Sequence, residues 1–158
     1  MPNAFSRAGA VVIGVGNEFR GDDAAGLIVA RRLREQASTQ AVVLDWEADP
    51  AGLLEAWMDA NLAIVVDTVV SGAEPGTVQR FDASTVPLPA RLAGSSTHAL
   101  GVAEAIELAR ALDRLPGRTI VYGIEGSSFS AGAALDPTVE RAIDETLTRV
   151  VAELGVRP

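Results

Sequence analysis

Few side chains in this 158-residue chain can do chemistry. It has one histidine, His98, and neither cysteine nor lysine, so that all 13 basic residues are arginine. Thiolate nucleophiles, thiolate metal ligands and disulfides are thereby excluded. Carboxylates and one imidazole remain. Asp22 and Asp23 stand in "GVGNEFRGDDAAG", Asp67 closes the apolar run "LAIVVD", and His98 follows a Gly/Ser loop in "GSSTHALG". Two aspartates and a histidine make a hard-to-borderline ligand set. It suits Zn²⁺, Ni²⁺, Mn²⁺ or Fe²⁺ and does not suit Cu(I) or iron–sulfur clusters. Three protein ligands also leave coordination positions open for substrate groups.

Other chemistries fit less well. Gly14 and Gly16 resemble the start of a dinucleotide fingerprint, but the third glycine position is Phe19. Asp22 and Asp23 would also set negative charge beside an incoming pyrophosphate. No P-loop occurs, because its lysine is missing. A phospho-receiver likewise needs a lysine beside its carboxylates. There is no G-x-S-x-G elbow, and a single histidine cannot make H-E-x-x-H. A dyad of Asp23 and Asp67 sharing a proton stays open on spacing alone.

These residues must be positioned by an alternation of strands and helices. Residues 10–16, 41–45, 62–67 and 118–124 are short β-branched runs that read as buried strands, and 76–81 alternates like an edge strand. Helices are expected over 22–36, 50–60 and 98–112. A final helix has Asp136 as N-cap and Pro137 at its first position. The order βαβαββαβα implies an α/β fold. We expect a three-layer αβα sandwich, its mostly parallel twisted sheet of about five strands bearing one antiparallel edge strand. Residues 1–158 are expected to form one domain, with loose termini at 1–8 and 155–158. Ligands of open α/β sheets sit at the carboxyl ends of the strands. Asp22, Asp23, Asp45, Asp49 and Asp67 all gather at that edge.

A net charge of −8 without a basic run argues against nucleic acid and anionic membranes as partners. No apolar run is long enough for a membrane span, and "MPNAFSRAGA" lacks the pattern of a signal peptide. A cytoplasmic protein is expected.

Four motifs, in order and at compatible spacing, resemble the endopeptidases that mature [NiFe] hydrogenase large subunits. They are "GVGNEFRGDDAAG", "LAIVVDTVVSGAEPGTV", "STHALGVAEAIELARAL" and "VYGIEGSSFSAGAALDPTVERAI", and together they cover about residues 10 to 152. The resemblance implies that Asp23, Asp67 and His98 contact a divalent metal and carry catalysis. The metal it implies is nickel already seated in the substrate; zinc or cadmium would be substitutes in the isolated protein. Asp22 would be a helix cap beside the working residue. The implied reaction removes a C-terminal extension from a nickel-loaded large-subunit precursor, which is also the implied partner. A non-cleaving module of the same fold that binds the loaded precursor is the alternative. Where the family often has a D-G-G-T turn, this chain reads "DWEADPAG". That departure makes Asp45, Glu47 and Asp49 the expected partner contacts.

Overall fold

The computed structural model describes residues 9–36, 41–46, 50–89 and 97–155, without the side chains of Pro50 and residues 97–100. The expected loose start at 1–8 lies outside this set, as do residues 156–158. The strands are β1 (Ala10–Val15), β2 (Val42–Trp46), β3 (Leu62–Val69), β4 (Val78–Asp82) and β5 (Arg118–Glu125). The helices are α1 (Ala25–Glu35), α2 (Pro50–Trp57), α3 (Thr97–Ala111) and α4 (Pro137–Glu153). The strands form one sheet in the order β2-β1-β3-β5-β4. The first four in that order pair in parallel, and β4 runs antiparallel to β5 at one edge.

Strand alternation divides the core into two layers. Val12, Ile64, Val66, Ile120, Tyr122 and Ile124 face α1 and α4, meeting Val29, Leu33, Val139, Ile143 and Val150. Val11, Ile13, Val15, Ala63, Val65 and Val121 face α2 and α3, meeting Leu53, Trp57, Val102, Ile106 and Ala109. The sandwich and its antiparallel edge match expectation. On α3, Val102, Ile106 and Ala109 are buried, whereas Leu112, just past its end, is 53% exposed. α4 starts as its sequence indicates, with the Asp136 carboxylate accepting from Thr138 N at 2.8 Å and Pro137 following the cap.

The direction of α3 matters most for function. β4 ends at Asp82 opposite Ile120, near the lower edge of the sheet where β5 begins. The next turn is fixed there, because Ala83 N donates to Thr119 O and Thr119 N to Ser84 Oγ. Arg110, in the last turn of α3, donates to the carbonyls of Ala83 and Ser84. The C-terminus of α3 is therefore held at the lower edge. Its 15 residues then span about 22 Å, which carries Thr97 and His98 to the upper edge, at the carboxyl ends of the parallel strands.

The end of α4 is tied to the sheet by Glu153. Its carboxylate accepts from Tyr122 Oη at 2.9 Å and Arg118 Nη2 at 3.1 Å, and also pairs with Arg80 Nε. Arg80 chiefly, helped by Tyr122 and Arg118, holds the Glu153 carboxyl below its ordinary value of 4.5. A depressed folded-state value contributes stability that is present above the unfolded value and lost as pH falls through the folded one. Glu153→Gln is expected to cost about 1–2 kcal/mol at pH 7, the partial exposure of both arginines limiting the effect. In urea unfolding followed from pH 7 to pH 3, the gap between variant and wild type should narrow below about pH 4.5.

Candidate active site at the carboxyl edge of the sheet

The crevice of an open α/β sheet lies where neighbouring strands connect in opposite directions. Here that point falls between β1 and β3, since β1 leads outward to β2 and β3 leads toward β5. The two strands pair as far as Gly14 and Val66. Beyond them β1 turns away through residues 16–24, while β3 continues along β5 to Val69. Asp67 is thus not the last residue of its strand, as the apolar run suggested. It stands where β1 has departed and the sheet opens.

Glycines let the chain double back over this opening. A Cβ on Gly16 would lie 2.0 Å from Asp23 O, the carbonyl that accepts from Asn17 N at 3.2 Å. A Cβ on Gly26 would lie 2.3 Å from Val66 O and 2.5 Å from Val15 O, so α1 sits directly on the two strands. Gly26 therefore does the close-packing work of the third glycine in a dinucleotide fingerprint. The spacing G-x-G-x-x-G pointed instead to position 19, which is Phe19.

Asp22 is fully buried and belongs to the scaffold. Its Oδ2 accepts from the backbone N–H groups of Ser127 (2.8 Å) and Ser128 (2.9 Å), and its Oδ1 from Asp136 N (2.9 Å). Its own N–H donates to Ser128 O at 2.8 Å, and its carbonyl accepts from Thr68 Oγ1 at 2.8 Å. The expected helix cap is not formed. Residues Gly21–Ala24 make a 3-10 turn, and α1 starts after it without a side-chain cap. With its carboxylate engaged by the β5–α4 connection, Asp22 cannot also serve the amides of its own helix. Gly21 permits the fit through a left-handed φ of 56°, and a Cβ there would lie 2.4 Å from Ser128 O.

Asp23 and Asp67 are 5% and 2% exposed. The 3-10 turn bearing Asp23 packs against β3, and Asp67 Oδ1 accepts from Thr68 N at 2.8 Å. Alternation with Ala63 and Val65 puts Asp67 on the sheet face covered by α3. His98 lies in the first turn of α3, one turn before Val102 on its buried stripe. Its imidazole is outside the described side chains. The structure thus brings Asp23, Asp67 and the His98 position to one edge. Among the described residues, which exclude that imidazole, no three His, Cys, Asp or Glu side chains form a group able to hold a metal.

Sequence reasoning missed Glu125. This buried carboxylate at the end of β5 accepts from Ser71 N (2.8 Å), Ser71 Oγ (2.8 Å) and Gly72 N (3.2 Å), fixing the loop that follows β3. An acid after an apolar strand resembles any turn residue, and its partners lie more than fifty positions away. Of the expected partner contacts, Glu47 and Asp49 lie outside the described residues. Asp45 lies on β2 and is bonded to Arg31 Nε (3.2 Å) and Arg34 Nη2 (3.0 Å). Arg31 also pairs with Glu18 at 2.9 Å, joining the β1–α1 loop to β2.

Comparison with known proteins gives a consistent picture. The family model of the hydrogenase maturation protease HycI matches residues 27–153, a span that contains Asp67 and His98 and begins just after Asp23. The chain is 29% identical over 148 residues to the hydrogenase 2 maturation protease of Escherichia coli strain K12, covering 91% of this chain and 89% of that one. It is also 29% identical over 154 residues to the hydrogenase expression/formation protein HupD of Rhodobacter capsulatus, covering 96% and 73%. Among solved structures, the hydrogenase maturating endopeptidase HybD of E. coli superimposes with a TM-score of 0.78. That match has 27% identity and covers 92% and 91% of the two chains.

The role of Asp22 is directly testable. Asp22→Ala would leave three backbone donors without their acceptor and is expected to cost about 3–5 kcal/mol, with Asp22→Asn costing about 2 kcal/mol. Urea unfolding measures both, and a loss below about 1 kcal/mol for the alanine variant would show that the carboxylate does not brace the edge.

Proposed function

The chain belongs to the hydrogenase maturation protease family, and we propose that it removes the C-terminal extension of a nickel-loaded [NiFe] hydrogenase large-subunit precursor. The observation that supports this reading is that Asp23 and Asp67 are both buried at the carboxyl edge of the sheet, the edge toward which α3 carries the His98 position. In the proposal, Asp23, Asp67 and His98 fill open positions on the nickel of the precursor. Both carboxyl groups are already withdrawn from water, where attraction to an arriving cation is far stronger than at an exposed surface. Two oxygens and a nitrogen suit Ni²⁺ and would accept zinc or cadmium as substitutes in isolation. Three ligands alone hold such ions weakly, so tight engagement needs the ligands of the substrate as well.

Cleavage then requires water to attack the scissile carbonyl. One of the two aspartates would act as general base, taking the proton of that water and passing it to the departing amine, while a metal held by these residues would supply polarisation of the carbonyl and help activate the water. Nickel in this scheme is chiefly a recognition element, because a precursor without it offers nothing for the three residues to ligate. Asp45, Glu47 and Asp49 are proposed as partner contacts. For Asp45 this means exchanging its bonds to Arg31 and Arg34 for bonds to the precursor. The proposed setting is the cytoplasm; no described helix is long and apolar enough to cross a membrane.

The test is the mass of the large-subunit precursor from the same organism, nickel-loaded and nickel-free, after incubation with wild type and with His98→Ala. Loss of a C-terminal peptide is expected only from loaded precursor and only with wild type. The His98→Ala rate should fall at least 100-fold. Unchanged mass in a stable complex with wild type would replace the proposal with the non-cleaving binder. Equal cleavage of nickel-free precursor would remove the metal from recognition.

A further inference from the structure

One side chain at the crevice is used by neither the core nor the proposed chemistry. Phe19 is 71% exposed, the most exposed of the large apolar side chains among the described residues. Single exposed apolar residues are ordinary on protein surfaces. The setting of this one is not. It lies in the loop between β1 and the 3-10 turn, four positions before Asp23, so the loop that delivers the acid also displays the ring.

The backbone that carries the ring is tied down. Phe19 N donates to Asn17 Oδ1 at 2.9 Å, and Phe19 O accepts from Gly132 N at 2.9 Å. Arg20 N donates to Asn17 O at 3.3 Å and Asp23 N to Arg20 O at 3.1 Å, closing the loop on itself. Its flanking charges are engaged within the protein: Glu18 pairs with Arg31 at 2.9 Å, and Arg20 Nε donates to Phe129 O at 3.3 Å. The backbone that bears Phe19 is thus tied in place, and the ring projects from it into solvent.

We infer that Phe19 is a substrate anchor that receives an apolar side chain of the precursor segment beside the scissile bond. This deepens the proposed function and rests on it. A fixed aromatic ring buries a large area at little entropic cost, and such residues carry a disproportionate share of interface affinity. With Glu18 held by Arg31 and the Arg20 guanidinium bonded to the Phe129 carbonyl, what Phe19 itself offers the precursor is apolar, and so is the complement it selects. The anchor is independent of nickel. It contributes affinity for the peptide strand, whereas Asp23, Asp67 and His98 respond to the metal.

The experiment measures binding and cleavage of the nickel-loaded large-subunit precursor from the same organism by wild type, Phe19→Ala, Phe19→Leu and Leu112→Ala. Leu112 is 53% exposed but follows the end of α3 held at the opposite edge of the sheet. Phe19→Ala is expected to weaken binding about 10–50-fold, mainly as a raised KM, with its thermal unfolding within about 2 °C of wild type. Phe19→Leu should recover most of the loss, and Leu112→Ala should bind as wild type does. Binding by Phe19→Ala within twofold of wild type would overturn the inference while leaving the proposed function intact. An equal loss in Leu112→Ala would also overturn it, by showing that exposed apolar area matters and place does not. Failure of wild type to bind or cut loaded precursor would overturn the proposed function and the anchor together.

Discussion

The geometry of the upper edge depends on one carboxylate receiving three backbone N–H groups. Asp22 bonds Ser127, Ser128 and Asp136, while its own main chain bonds Ser128 and Thr68. Three separate segments converge on it: the turn after β1, the end of β3 and the connection from β5 to α4. A buried charge costs several kcal/mol unless it is fully satisfied. Once satisfied, it defines a single arrangement of everything that touches it. Asp23 inherits its place from this arrangement as the next residue in the chain. Glu125 repeats the device on the other wall, gathering Ser71 and Gly72 just beyond Asp67.

The adjacent acids Asp22 and Asp23 thus divide their labour. One carboxylate is bonded into the scaffold; its neighbour is the one the proposed function uses. A sequence offers two identical letters here, and only the burial of the partners separates them. The same division runs along α1. Its inner side, at Gly26, touches the carbonyls of β1 and β3, and its outer side carries the arginines that hold Asp45 and Glu18.

What could be read in the sequence was whatever depends on near neighbours. The apolar β-branched runs announced the strands, and Asp136–Pro137 announced the start of α4. The alternation of residues 76–81 announced the edge strand. Asp23, Asp67 and His98 stood out by residue type and by motif, and their common edge followed from strand order. The hidden features depend on residues far away in the chain. Asp22 looked like a cap because its true partners lie 105 to 114 positions onward. Glu125 looked like a turn residue for a similar reason. The continuation of β3 past Asp67 follows from β5, whose Ile124 and Glu125 go on pairing with Thr68 and Val69 after β1 has left. Gly26 escaped because its role is set by helix-to-strand distance and not by spacing from Gly16.

The span of the Asp22 contacts has a consequence for how the protein comes into being. A chain leaves the ribosome from its N-terminus, so both acids emerge well before Asp136 is synthesised. Until then the Asp22 carboxylate is simply hydrated, and nothing yet ties the turn after β1 to the far side of the sheet. Contacts of such long range form late, because the intervening chain must first be brought together. The bonds that brace this edge therefore need the chain complete through Asp136. A ribosome-bound nascent chain ending before Ser127 would carry Asp23 and Asp67 without the bonds that brace the turn between β1 and α1.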